Sequence, residues 1–148
     1  MVIIPENHKT YNILLVEDNP TDVILFQEAL NENSIKIDLA VVENGEDALK
    51  YLKQEDPFPD AHRPDLVLLD LNLPILNGIE VLREIKTDDQ LRIIPIVILT
   101  SSKADKDVQE CYALHANCYI VKPIDFFQFS DAIKSFRHFW FSVAKLPN

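Results

Sequence analysis

Short, nearly unbroken apolar runs alternate along the chain with stretches in which apolar residues recur every three or four positions. The runs Asn12-Ile-Leu-Leu-Val-Glu17, Ile37-Asp-Leu-Ala-Val-Val42, Asp65-Leu-Val-Leu-Leu-Asp70, Ile94-Pro-Ile-Val-Ile-Leu99 and Cys118-Tyr-Ile-Val121 predict strands. Four of the five are too continuously apolar to be half-exposed, which points to parallel strands covered on both faces. Helical spacing is expected over about Pro20–Asn31, Gly45–Gln54, Gly78–Lys86, Ala104–Leu114 and Asp125–Val143. Strand and helix thus alternate five times. That pattern predicts an α/β fold, a doubly wound parallel sheet with right-handed crossovers and helices on both faces. The irregular stretch Lys53–Pro64, with its three prolines, is expected to be a surface loop.

In open sheets of this kind ligands bind at the carboxyl ends of the strands. The first strand ends in Glu17-Asp18, the third in Asp70, the fourth in Thr100 and the fifth in Lys122, so these residues are expected to converge on one edge. Singly, each has an ordinary explanation: Asp18 as a cap for the first helix, Thr100 and Ser101 as caps for the fourth, Lys122 as a solvated lysine. Together they describe phosphoryl transfer to a carboxylate. Packed carboxylates repel one another, and a hard, oxygen-seeking cation such as Mg²⁺ (or Mn²⁺) relieves that repulsion while leaving room for phosphate oxygens. Asp18 and Asp70 are the expected side-chain ligands, with Glu17 binding directly or through water and a backbone carbonyl after Asp70 completing the set. Lys122 supplies a second positive group, Thr100 a hydroxyl donor, and Asp70 the nucleophile that becomes an acyl phosphate.

Bulk properties narrow the classes further. At 148 residues the chain is expected to be one domain, and 47% hydrophobic with 26% charged residues is an ordinary globular mix. A formal charge of −10 argues against nucleic acid or an anionic membrane as a partner. The opening MVIIPENHKT is too briefly apolar for a secretory core or a membrane span, so a cytoplasmic location is expected. Cys111 and Cys118, with four scattered histidines, match no disulfide framework or zinc pattern and are expected to be reduced, largely buried residues.

With these residues in hand, the sequence resembles the receiver domains of two-component response regulators over essentially its whole length. The matching elements are Leu15-Val-Glu-Asp-Asn19, Leu69-Asp-Leu-Asn-Leu-Pro-Ile-Leu-Asn-Gly78, Leu99-Thr-Ser-Ser102 and Val121-Lys-Pro123. The resemblance implies a flavodoxin-like (βα)₅ fold with strand order 2-1-3-4-5, in one receiver domain over 1–148 with its core at about 10–134 and an aromatic helix and tail at about 125–148. It also implies Asp70 as phosphoacceptor; Glu17 and Asp18 as the acidic metal pair; Asn72 as donor of the backbone carbonyl; Thr100, with Ser101 beside it, as the switch hydroxyl; Lys122 as the phosphate-binding lysine; and Tyr119 as the aromatic switch residue. The Lys122-Pro123 bond is similar to one that is cis in this family, and Asn77-Gly78 to a tight turn in which both residues tolerate positive φ. Leu73 stands where many members have Met, a volume-conserving change.

A narrower resemblance, in Leu114–Tyr119, the loop before Asp65 and the tail Phe139-Trp140 followed by Leu146-Pro147, is to the single-domain regulators that partner cyanobacterial and bacterial phytochromes. It implies a histidine kinase, a phytochrome among them, as phosphoryl donor, with no DNA-binding output. A Mg²⁺-dependent phosphatase with an aspartyl-phosphate intermediate and a receiver that docks constitutively are the alternatives.

Six of the eight phenylalanines lie between Phe126 and Phe141, together with the single tryptophan. Phe129, Ile133, Phe136 and Trp140 fall at helical spacing and are expected to cover the sheet. Phe127, Phe139, Phe141 and Val143 are left over and are expected to form a homodimer contact. The competing expectation is that the tail folds back on its own domain.

Overall fold

The computed structural model describes residues 9–31 and 35–147, so the opening run 1–8 and Asn148 lie outside the described residues. Five parallel strands, β1 (Thr10–Val16), β2 (Lys36–Val42), β3 (Leu66–Leu69), β4 (Ile96–Thr100) and β5 (Cys118–Val121), form one sheet in the order β2-β1-β3-β4-β5. The connecting helices are α1 (Pro20–Leu30), α2 (Gly45–Leu52), α3 (Gly78–Thr87), α4 (Asp105–Ala113) and α5 (Phe126–His138). The expected order and all five strand–helix units are present, with boundaries shifted by a residue or two except at the end of α5, which stops at His138 instead of about Val143.

Successive residues of a strand point to opposite faces, and the sheet sorts its core accordingly. Leu14, Val16, Val67, Leu69, Ile96 and Ile98 pack with Ala48 and Leu52 of α2, Val81, Leu82 and Ile85 of α3, and Cys111 of α4. On the other face Ile13, Leu15, Leu66, Leu68, Val97 and Leu99 pack with Phe26, Ala29 and Leu30 of α1 and Phe129, Ile133 and Phe136 of α5. The cysteines fall on opposite faces, and both are free. Burial pushes the Cys111 thiol up to about 11, so it stays protonated at neutral pH. Among the described residues no helix is long and apolar enough to cross a membrane.

The last helix departs from its expected course. After His138 the chain makes a π-helical turn over Phe139–Val143, closed by Ala144 N–H donating to the Phe139 carbonyl at 2.7 Å. An i→i+5 turn holds an extra residue, so the inward position that regular spacing assigns to Trp140 passes to Phe141. Phe141 is buried against Tyr11 and Phe136, and Leu146 follows it into the same cluster, while Trp140 is only half-buried. Phe141 is therefore a core residue and not a member of the exposed patch; Phe127, Phe139 and Val143 do remain exposed. The buried Arg137 donates from Nη1 to the Ala29 carbonyl, satisfying an acceptor in the last turn of α1 where a positive charge also suits the helix dipole.

Candidate functional site

The parallel register sets the site. Val16 pairs with Leu69 and Leu69 with Ile98, and Thr100 pairs with Val121, so the residues that follow emerge along one carboxyl edge. Three further backbone bonds extend this alignment past the strand ends: Glu17 N–H to Val42, Asp70 N–H to Val16 and Lys122 N–H to Thr100. Ordinary capping does not account for the edge residues. Asn19, not Asp18, caps α1 through its Oδ1, and the cap position of α4 is Ala104, which offers no side-chain cap, leaving Thr100 and Ser101 outside that role.

Lys122 holds the centre. Its Nζ donates to Glu17 Oε1, to Asp22 Oδ2 at 2.9 Å and to Asp70 Oδ2 at 3.3 Å. Burial alone would lower the ammonium's pKa, but the bonds to Glu17 and Asp22 and the charge of Asp70 lift it above the usual lysine range. Glu17 is 2% exposed, and burial pushes its carboxyl up to about 7, opposed by the Lys122 hydrogen bond and reinforced by the Asp70 charge. Carboxylate oxygens of Glu17, Asp18 and Asp70 lie within 4.8 Å of one another, with Asp18 the exposed member. Such a set of hard oxygen donors, with an open side at Asp18, fits a hexacoordinate cation that keeps several waters.

The β3–α3 loop frames Asp70 from the other side. Asn72 N–H donates to Asp70 Oδ1 at 3.3 Å, which brings Asn72 to the site through its backbone. Leu76 N–H closes a three-residue turn on the Pro74 carbonyl around Ile75, whose φ of 70° is strained for a β-branched side chain. Gly78 does not adopt positive φ, contrary to expectation; it is needed because a Cβ there would lie 2.2 Å from the Asp70 carbonyl oxygen. The loop therefore sits against the helix start with no space for a side chain.

Thr100 is fully buried and its Oγ1 accepts from Ser102 N–H at 3.4 Å, whereas Ser101 is exposed. Tyr119 is half-buried, and its hydroxyl donates to the Ser102 carbonyl at 3.0 Å, joining β5 to the β4–α4 loop. The Lys122–Pro123 bond is trans; the described cis bond is Asp56–Pro57. The trans form, favoured intrinsically by about 0.5–1 kcal/mol, already delivers the ammonium to its three carboxylates, so nothing demands the rarer isomer. Asp22 was not anticipated. Its only signal in the sequence is its place in the first turn of α1, four residues after Asp18.

Residues 13–134 match the model of the response regulator receiver domain. The chain belongs to the response regulator receiver family. Among receivers it is 40% identical over 135 residues to the response regulator Rcp1 of Synechocystis sp., an alignment covering 91% of this chain and 92% of that relative. The phosphorylated cyanobacterial phytochrome response regulator RcpA superposes with a TM-score of 0.92 at 44% identity, over 95% of this chain and all of that one. The Mn²⁺-bound form of Rcp1 superposes with a TM-score of 0.91 at 39% identity, covering 93% and 99% of the two chains. This receiver is thus homologous to phytochrome response regulators.

Proposed function

We propose that this receiver is a phosphoacceptor switch in which Asp70 takes a phosphoryl group from a histidine kinase, with phytochromes as the kinase class suggested by the likeness to Rcp1 and RcpA. The observation that carries the reading is one ammonium, Lys122, drawn onto Asp70 and Glu17 while Glu17, Asp18 and Asp70 gather into a hard-oxygen cluster.

Glu17, Asp18 and Asp70, with the backbone of Asn72, would hold Mg²⁺ or Mn²⁺. Bound there, the cation would offset negative charge on the incoming group. An Asp70 carboxylate oxygen attacks phosphorus as the bond to the donor breaks, giving the acyl phosphate and releasing the donor's leaving group. Lys122 neutralises charge on the phosphoryl oxygens opposite the acids, and the buried Thr100 hydroxyl donates to one of them. That contact exists only in the phosphorylated state and so biases the β4–α4 loop, to which Tyr119 is tied. The exposed Phe127, Phe139 and Val143 are the candidate surface for self-association, and the charge of −10 argues against nucleic acid as the reader. Signal transfer in the cytoplasm by a non-enzymatic switch suits this set better than the phosphatase alternative, in which Asn72 would have to replace a second acid.

Incubation with Mg²⁺ and a small acyl-phosphate donor is expected to add the mass of one phosphoryl group, labile to hydroxylamine and absent in Asp70→Asn. No mass gain from donor or kinase, or an unchanged gain in Asp70→Asn, overturns the proposal. Steady turnover of phosphate esters favours the phosphatase, and partner binding unaffected by Asp70→Asn favours constitutive docking.

Glu17 gives the site a pH dependence. Its folded pKa of about 7 lies above the ordinary 4.5, so the metal-free folded state keeps a proton that the unfolded state has lost. Stability from this group is therefore greatest below about 4.5 and is lost as pH rises toward 7. A cation must displace that proton. Below pH 7 the apparent Mg²⁺ affinity should fall by up to about tenfold per unit, and level off above it. Titration calorimetry at pH 6 and 8 tests this, and Glu17→Gln should abolish the difference.

A further inference from the structure

Two cationic positions share this edge, and their anions overlap only in part. The ammonium of Lys122 touches Glu17, Asp22 and Asp70, whereas the hard-oxygen cluster consists of Glu17, Asp18 and Asp70. Glu17 and Asp70 belong to both sets. Asp18 belongs to the cluster alone and Asp22 to the lysine alone. A divalent cation seated on the cluster competes for the two shared carboxylates and repels the ammonium, which then retains one exclusive anion.

From this overlap we infer that Asp22 is a positioning residue: it keeps Lys122 beside Asp70 when a divalent cation claims Glu17 and Asp70. The inference rests on the phosphoacceptor reading of the same site. Helix capping does not explain Asp22, because Asn19 Oδ1 receives the Thr21 and Asp22 N–H groups. The Asp22 carboxylate is instead spent on Lys122, at 2.9 Å against 3.3 Å for Asp70, and its side chain is 24% exposed, so the pair is shielded without being fully desolvated. Asp22 also starts from the first turn of α1, a different element from the ends of β1 and β3 that carry Glu17, Asp18 and Asp70.

Two measurements test this, and the first needs no phosphorylation. The Lys122 ammonium, assigned by its loss in Lys122→Met, is expected to give a slowly exchanging ¹⁵N signal in the folded protein that survives saturating Mg²⁺. In Asp22→Asn, an isosteric change, that signal should be present without metal and vanish when Mg²⁺ is added. Survival in both proteins, loss in both, or no lysine signal in the metal-free wild type overturns the inference. In the second, Asp22→Asn should slow phosphorylation by a small acyl phosphate at saturating Mg²⁺ by about tenfold, and cause no further slowing in a Lys122→Met background. Equal slowing in both backgrounds, or none in either, overturns it. A wild-type protein that accepts no phosphoryl group defeats the phosphoacceptor reading instead, and the ammonium signal still decides the role of Asp22.

Discussion

Lys122→Met is expected to destabilise the metal-free protein, to be rescued by Mg²⁺, and yet to slow phosphorylation of Asp70. The stability loss follows from what remains. Glu17 and Asp70 are 2% and 6% exposed, and without the ammonium they face each other with no counter-charge. Removing one partner of a buried ionic group typically costs about 3–5 kcal/mol, because the surviving charges stay desolvated. Part of that cost is escaped by protonation: Glu17, already held to about 7 by burial, would keep its proton to still higher pH. A divalent cation supplies the missing positive charge, so urea midpoints in chelator and in Mg²⁺ should diverge far more for the variant than for wild type. Mg²⁺ should also bind the variant more tightly, since its competitor for Glu17 and Asp70 is gone. Catalysis moves the other way. Losing one preorganised charge aimed at the phosphoryl oxygens should slow transfer by about 10²–10³-fold at saturating Mg²⁺. Equal stability of the two proteins in chelator would show that Lys122 does not hold the carboxylates together, and an unchanged rate would remove it from the phosphoryl site.

The contrast between these effects reflects which parts of the site were legible beforehand. Parallel strands buried on both faces are continuous apolar runs, so where each ends is visible in the sequence, and the residue after each end is fixed to the carboxyl edge by register alone. Glu17, Asp18, Asp70, Thr100 and Lys122 were therefore found without knowing any contact. Asp22 was hidden because it reaches the lysine from a helix, where acids near the amino end are common for reasons of dipole and capping. Gly78 was placed correctly for a reason that proved different: close approach to the Asp70 carbonyl rather than positive φ, which falls on Ile75 instead. The Lys122–Pro123 isomer depends on where the lysine must reach, a three-dimensional fact with no trace in the dipeptide. In the aromatic tail Trp140 and Phe141 exchange their expected places, because the helix widens after His138 and regular periodicity does not extend past it.

That widening makes Phe141→Ala the second large effect. Phe141 is 6% exposed, with its ring 4.7 Å from that of Tyr11 and 6.1 Å from Phe136, which in turn lies 6.2 Å from Phe26. The π-turn thus ties the end of the chain to β1 and, through Phe136, to α1. Truncating a buried phenylalanine costs about 3–5 kcal/mol, the upper part of the range applying where the surroundings cannot collapse. Here Tyr11 is held by β1 and Phe136 by α5, so little relaxation is available and a large loss is expected in urea unfolding. Phe139 and Val143 belong to the same turn but are 50% and 61% exposed, and Val143→Ser should change the unfolding midpoint little, as surface substitutions do. The two variants therefore separate folding from assembly. If the exposed side of the turn is an interface, Val143→Ser weakens self-association in sedimentation without loss of stability, whereas Phe141→Ala lowers stability at every protein concentration. Equal, small losses for both would place the tail outside the core and return Phe141 to the exposed surface.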